Sequence, residues 1–174
     1  MSDSRQRSRR LPAEWEQDCS VLLAWPHEDT DWSYMLDDVK KCYCDLAHAI
    51  ARYTRIIVVA PDTTDAQKAL SYIPSGHVLF VDIPTNDTWT RDYGPLTVTE
   101  SDGSVKTLDF CFNGWGLKFA SCLDNLVTSR LVERKLITAD NINFRDFVLE
   151  GGGIESDGGG TLLTTSHCQL SPNR

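Results

Sequence analysis

The chain has 174 residues, 41% hydrophobic and 24% charged, with a net charge of −8; this suits a soluble globular domain with a sizeable core and excludes a fibrous or low-complexity protein. No apolar run approaches the roughly 18 residues that cross a bilayer, and no apolar signal core stands near Met1, so neither a membrane span nor a secretory leader is expected. Residues 1–10 carry Arg5, Arg7, Arg9 and Arg10 against Asp3 and are expected to form a frayed basic arm. The remainder, at −11, disfavours nucleic acid as a partner and suits a cationic small molecule.

In chain order, Ser20 to Trp25 reads as a buried strand and Asp29 to Trp32 as a polar loop. Leu36, Val39, Tyr43, Leu46, Ile50 and Tyr53 recur at steps of three and four, which predicts a helix from about Ser33 to Tyr53. Arg55 to Ala60 is a β-branched strand, and Thr64-Asp65-Ala66-Gln67 has capping-box spacing that opens a short helix before Pro74. His77 to Ile83 is a third buried strand. Two further strands flank Asp102-Gly103-Ser104 as a hairpin, a helix runs from about Cys122 to Leu136, and Phe144 to Glu150 is strand again. Strands and helices alternate, so the class is α/β.

Six cysteines, Cys19, Cys42, Cys44, Cys111, Cys122 and Cys168, fall mostly within apolar periodic segments and read as reduced core thiols of a cytosolic protein. Cys42 and Cys44 lie two apart on a predicted helix with no second Cys or His pair at ligand spacing, a pattern that does not suit zinc.

Two acid–glycine sites stand out. Asp92 in Trp89-Thr90-Arg91-Asp92-Tyr93-Gly94-Pro95 and Glu150 in Leu149-Glu150-Gly151-Gly152-Gly153 each follow an apolar strand, and each leads through glycine into a hairpin turn, at Asp102-Gly103 and at Asp157-Gly158. This is a weak internal repeat of acid, glycine and hairpin. The first unit continues into a helix and a closing strand, whereas the second stops before its helix, so the chain is expected to be the first part of a larger closed array. Exposed apolar surface and open strand edges would follow, and with them poor stability or self-association into a homo-oligomer.

A guanidinium stays charged at any working pH, so a site that removes it from water needs carboxylates around it. Asp92 can accept two parallel N–H bonds from such a group, Trp89 offers a ring face, and Glu150 can approach from another side. The alternative is structural: Asp92 pairs with Arg91 or caps a turn at Gly94-Pro95, and Glu150 is a solvated residue beside a flexible loop. Arg91 itself reads as an ion-pair partner rather than a catalyst.

The chain resembles agmatine deiminase, in the wider superfamily of guanidino-group-modifying enzymes with bacterial peptidylarginine deiminases. The resemblance rests on Arg10 to Glu16, Ala24 to Trp32, Trp89 to Pro95, Phe112-Asn113-Gly114-Trp115-Gly116 and Leu149 to Gly153. It implies a pentein-type five-bladed α/β propeller, with about the first half of the blades in this chain, so that residues 11–174 form an incomplete deiminase domain. It also implies a cytoplasmic C–N hydrolase that converts agmatine to N-carbamoylputrescine and ammonia in polyamine synthesis, with no metal or organic cofactor.

By the same resemblance, Asp92 matches the guanidinium-binding carboxylate, Glu150 the second active-site acid and Trp89 a substrate-contacting aromatic. The family's cysteine thiolate attacks the guanidinium carbon, a histidine shuttles protons as ammonia leaves, and an aspartate stands two residues after that histidine. These come from the second half of the family's chains, so this chain is expected to be inactive alone. His167-Cys168 does not replace them, since neighbours on an extended Thr161 to Cys168 segment point to opposite faces. His48 falls within a helix, His77 at a strand start, and His27 with Asp29 in a turn that can border the site mouth. A peptidylarginine deiminase fragment, or a non-catalytic module binding cationic amines or a partner, stands as the alternative.

Overall fold

The computed structural model describes residues 9–16, 20–137 and 140–173. Among these, β1 (Arg9–Arg10) is followed by β2 (Val21–Ala24), α1 (Leu36–Ala51), β3 (Ile56–Ala60), α2 (Thr64–Ala69) and β4 (Val78–Asp82). The strands β2, β3 and β4 form a parallel sheet in that order, with Val21 beside Ile56 and Ile56 beside Val78. Parallel neighbours need crossovers, and α1 and α2 supply them.

Central β3 is buried on both faces, and its period-two alternation divides it between two cores. Ile56, Val58 and Ala60 join Trp25, Ala47, Leu70 and Ile73 on one side. Val59 joins Val81, Ile83, Tyr93, Phe112, Val127 and Leu131 on the other. The buried stripe of α1 runs through Val39, Ala47 and Ala51, whereas Leu46 and Tyr53, on the sequence period, are exposed; the small alanines let the helix approach the sheet closely.

The capping box expected at Thr64 does not form, and Thr63 at the N-cap makes no side-chain capping bond. Thr63 precedes α2, its Oγ1 donating to Asp82 Oδ1 (2.7 Å) and accepting from Gln67 Nε2 (2.9 Å), while Asp62 Oδ1 accepts from the Thr64 amide (2.8 Å). Two adjacent threonines leave the frame open in sequence, and Asp82 at the end of β4 selects it.

After β4 come a single helical turn, α3 (Thr90–Tyr93), the hairpin β5 (Leu96–Glu100) and β6 (Val105–Cys111), and a second single turn, α4 (Gly114–Leu117). A 3-10 turn at Asp124–Leu126 leads into α5 (Val127–Glu133) and β7 (Asp140–Val148); the 3-10 turn Gly151–Gly153, β8 (Ile154–Ser156), β9 (Leu162–Thr164) and α6 (Ser166–Gln169) complete the order. The second sheet runs β1-β5-β6-β7, with β6 and β7 parallel and the other neighbours antiparallel, and β8 pairs antiparallel with β9. Both acid–glycine–hairpin units therefore form.

Arg9 and Arg10, expected in the frayed arm, instead pair with Glu100 and Thr99, and Arg9 Nε donates to buried Glu100 at 2.8 Å; residues 1–8 lie outside the described residues. None of the described cysteines is fully buried, although Cys44 packs against the Trp25 core. Cys42 and Cys122 are exposed, and Cys44, Cys111 and Cys168 are half-buried, all free; Cys42 points off the buried stripe of α1, and Cys19 lies outside the described residues. No helix among the described residues is long and apolar enough to cross a membrane.

Candidate active site

Asp92 does not end a strand: β4 stops at Asp82, and a loop carries the chain to α3, whose single turn holds Asp92. That loop is locked before it reaches the acid. Asn86 Oδ1 accepts from the Leu123 amide (2.7 Å), and buried Asp124 Oδ1 accepts from the Asn86 (2.7 Å) and Asp87 (3.3 Å) amides, a reciprocal clasp between two loops. Tyr93 Oη donates to Asp87 O (2.9 Å), and Thr90 Oγ1 donates to Leu22 O (3.0 Å), which ties α3 to β2. Gly94 approaches Thr90 O so closely that a side chain there has no room.

Both oxygens of Asp92 are oriented. Oδ1 accepts from the Gly152 amide (3.2 Å) and Oδ2 from Trp115 Nε1 (3.2 Å). A carboxylate has about four acceptor positions, so two such bonds fix the group and still leave it able to accept from a bidentate donor. The Gly152 bond also joins the two acid loops. Glu150, buried at 6% exposure, precedes the turn Gly151–Gly153, and the Leu149 amide donates to Cys111 O (3.0 Å), anchoring that loop to the end of β6. A Cβ on Gly151 would strike Arg91 O, and one on Gly152 would strike Asp92 Oδ1. The glycines are what allow the loops to meet.

Trp115 reaches Asp92 from an unusual backbone. Gly114, Trp115 and Gly116 all have positive φ (64°, 57° and 85°), and Asn113 Oδ1 accepts from the Gly116 amide at 2.8 Å to close the turn. A tryptophan in the left-handed region costs about 1–3 kcal/mol and persists where surrounding packing holds it. Edge-on contacts to Phe112 (4.9 Å), Phe119 (5.6 Å) and Trp89 (6.0 Å) supply that packing. Trp89, 40% exposed, also lies 5.8 Å from Trp32, whose Nε1 donates to Thr88 Oγ1 (2.8 Å). An oriented carboxylate beside the exposed Trp89 ring is a place to hold a flat organic cation.

The sequence profile of the Porphyromonas-type peptidyl-arginine deiminase family matches residues 10–174. The chain belongs to this family. It is 34% identical over 170 residues to the agmatine deiminase of Pseudomonas aeruginosa, covering 95% of this chain and 45% of that one. Among solved structures, a cysteine-to-serine variant of C. jejuni agmatine deiminase with substrate bound superposes with a TM-score of 0.89 at 35% identity, covering 98% of this chain and 49% of that one. A Porphyromonas gingivalis structure superposes with a TM-score of 0.85 at 44% identity, covering 96% and 50%. The chain thus spans about half the length of the relatives it matches.

In this deiminase-family chain, Asp92, Trp89 and the Glu150 loop converge. Arg91 does not pair with Asp92: its guanidinium meets Glu14 (2.6 Å) and Ile154 O (3.4 Å), linking the segment before β2 to β8. His27 and Asp29 line a cavity of about 670 Å³ at the carboxyl ends of β2 and β3, with Trp25, Lys40, Asp62 and Asp65, and its lining excludes Trp89, Asp92 and Glu150. Burial pushes the His27 imidazole down, and its Nε2 lies 3.4 Å from Thr85 Oγ1. His48 lies 5.8 Å from Tyr72 with the rings tilted, and His77 Nδ1 lies 2.9 Å from Ala51 O, both away from the acids. His167 and Cys168 are not on an extended segment, because Thr165 caps the helical turn Ser166–Gln169, accepting from the Cys168 amide at 3.1 Å. His167 is exposed and Cys168 packs beside Gly153, so they diverge on the turn. In the sequence Trp115 stands only within the Phe112–Gly116 motif, with no role at Asp92; its signal is the Asn113-Gly114 turn, which places the following tryptophan.

Proposed function

We propose that this chain supplies the substrate-holding half of a guanidine C–N hydrolase whose substrate is agmatine and whose products are N-carbamoylputrescine and ammonia. The observation that carries the reading is Asp92, gripped by Trp115 Nε1 and the Gly152 amide beside exposed Trp89. In this proposal Asp92 accepts two guanidinium N–H groups, Glu150 compensates the remaining positive charge, and Trp89 covers a face of the cation. A thiolate, a histidine and an aspartate supplied by the other half of a five-bladed propeller attack the guanidinium carbon and shuttle protons as ammonia leaves. Residues 11–174 then act as an incomplete domain, inactive alone, working in the cytoplasm in polyamine synthesis. Completed with the C-terminal half of the Pseudomonas aeruginosa relative, the protein is expected to release ammonia from agmatine; a folded, completed protein that releases none overturns the reading.

The family's description favours a second substrate, peptidyl-arginine. Competition between agmatine and a blocked arginyl peptide in the same assay decides between them, with agmatine expected to be turned over at least tenfold faster.

A further inference from the structure

The chain leaves β6 without a strand to guide it. Pairing with β7 jumps between Phe110, opposite Phe144, and Cys111, opposite Val148, and the ladder ends with the Leu149 amide on Cys111 O (3.0 Å). The next residue, Phe112, is 1% exposed, so its backbone N–H and C=O need partners inside the protein. The side chain of Asn125, in the 3-10 turn before α5, takes the place of a strand neighbour. Its Oδ1 accepts from the Phe112 amide (2.9 Å), and its Nδ2 donates to Phe112 O and to Ser121 O (2.9 Å). One carboxamide thus makes the two-bond exchange of a hydrogen-bonded antiparallel pair. Asn125 is held in turn by Arg145, in the stretch of β7 that the jump skips: Arg145 Nη1 donates to Asn125 O and lies 3.9 Å from buried Asp109.

This grip controls a direction. The left-handed turn starts at Gly114, and its own bonds, from the Gly116 amide to Asn113 Oδ1 (2.8 Å) and from Asn173 Nδ2 to Gly116 O (3.2 Å), fix its shape. They do not fix how the turn sits on the sheet. Phe112 does, because it is the last residue before the turn that is pinned to another element, and its ring meets Trp115 edge-on at 4.9 Å. The Trp115 indole must then reach Asp92 Oδ2, and a bond of 3.2 Å is lost with a small change of length or angle.

We infer that Asn125 is a positioning residue of the site: by pinning Phe112 it aims the Trp115 indole and so orients the second oxygen of Asp92. Its consequence for catalysis rests on the proposed role of Asp92, but the geometry is tested without turnover. The chain has five tryptophans, and their indole N–H signals are followed in the heteronuclear NMR spectrum of the isotope-labelled chain. Asn125→Asp keeps an acceptor for the Phe112 amide and turns a carboxylate oxygen toward the carbonyls of Phe112 and Ser121. The Trp115 signal, identified by its loss in Trp115→Phe, is expected to move as it does in Asp92→Asn. The signal of Trp25, whose indole donates to Asp65 at 2.8 Å, is expected to stay in place. Adding Asp92→Asn to Asn125→Asp is expected to move the Trp115 signal no further. Asn125→Ser removes the carboxamide without adding charge and is expected to give the same displacement, which keeps the test decisive if the charged variant does not fold. In the completed protein either substitution is expected to lower kcat/KM for agmatine about tenfold and to add nothing to the loss from Trp115→Phe. A Trp115 signal unmoved in the folded variants overturns the inference and leaves the aim to Asn113; a Trp25 signal that moves with it overturns the inference too, making Asn125 a general stabiliser. A displaced Trp115 signal in a completed protein that releases no ammonia upholds the inference and counts against the proposed reaction alone.

Discussion

Asp92 and Glu150 occupy loops of the same plan but unequal support. The Asp92 loop is tied to β2 through Thr90, to its own approach through Tyr93, and to the 3-10 turn before α5 through the Asn86–Asp124 clasp. The Glu150 loop is anchored at Leu149 and by its contact with Asp92, but it leads into β8–β9, whose Leu162 and Leu163 are 57% and 68% exposed. The first acid is fixed by a finished core. The second leans on the first and on surface still open, so the order of the site is built from the Asp92 side outward.

The strongest break in that comparison is Asp92→Asn in the completed enzyme. Leaving a buried guanidinium without its carboxylate costs about 3–5 kcal/mol, so kcat/KM for agmatine is expected to fall at least roughly 10²-fold with the melting temperature nearly unchanged. Retained turnover would show that the braced acid is structural.

Gly151→Ala attacks the junction instead. Its methyl meets the Arg91 carbonyl, and a cost of about 1–3 kcal/mol should lower the melting temperature by several degrees, whereas Gly153→Ala, in ordinary contact with Cys168, should be tolerated. Equal melts for the two variants would mean that the loops do not hold each other.

A smaller effect is expected of Trp115→Phe, which keeps the ring packing and deletes the bond to Asp92 Oδ2. A loss of about tenfold in kcat/KM, on the order of 1 kcal/mol, follows from one hydrogen bond to a charged group. Calorimetric binding of agmatine as tight as wild type would assign the Asp92 orientation to Gly152 alone.

A pH-dependent effect is expected in the clasp. Burial pushes the Asp124 carboxyl up from 3.8 to about 6, so the folded state binds that proton more tightly than the unfolded one. The corresponding stability is fully present below about pH 4 and is lost as pH rises through about 6. Asp124→Asn keeps an acceptor for the Asn86 and Asp87 amides without the charge and should flatten the melting temperature across that window; a curve parallel to wild type would place the titration elsewhere.

Periodicity in the sequence located β2, β3, β4 and both hairpins, because alternation and turn residues are local properties of the chain. It also picked out Asp92, Glu150 and Trp89, since acids beside glycine and tryptophan are local patterns too. Local pattern did not reveal that Asp92 rides on a helical turn, that Arg91 answers to Glu14, or that Thr63 rather than Thr64 precedes α2. Each depends on a partner far away in sequence. Trp115 is the clearest case: an Asn-Gly turn is legible, but the bond from its indole to Asp92 spans 23 residues. Sequence alone determined which groups are available to hold a cation. Tertiary structure alone decided that the Gly151–Gly153 turn packs on the helical turn of Asp92 and aims those groups together, because direction and distance between remote segments are set by the sheets that carry them.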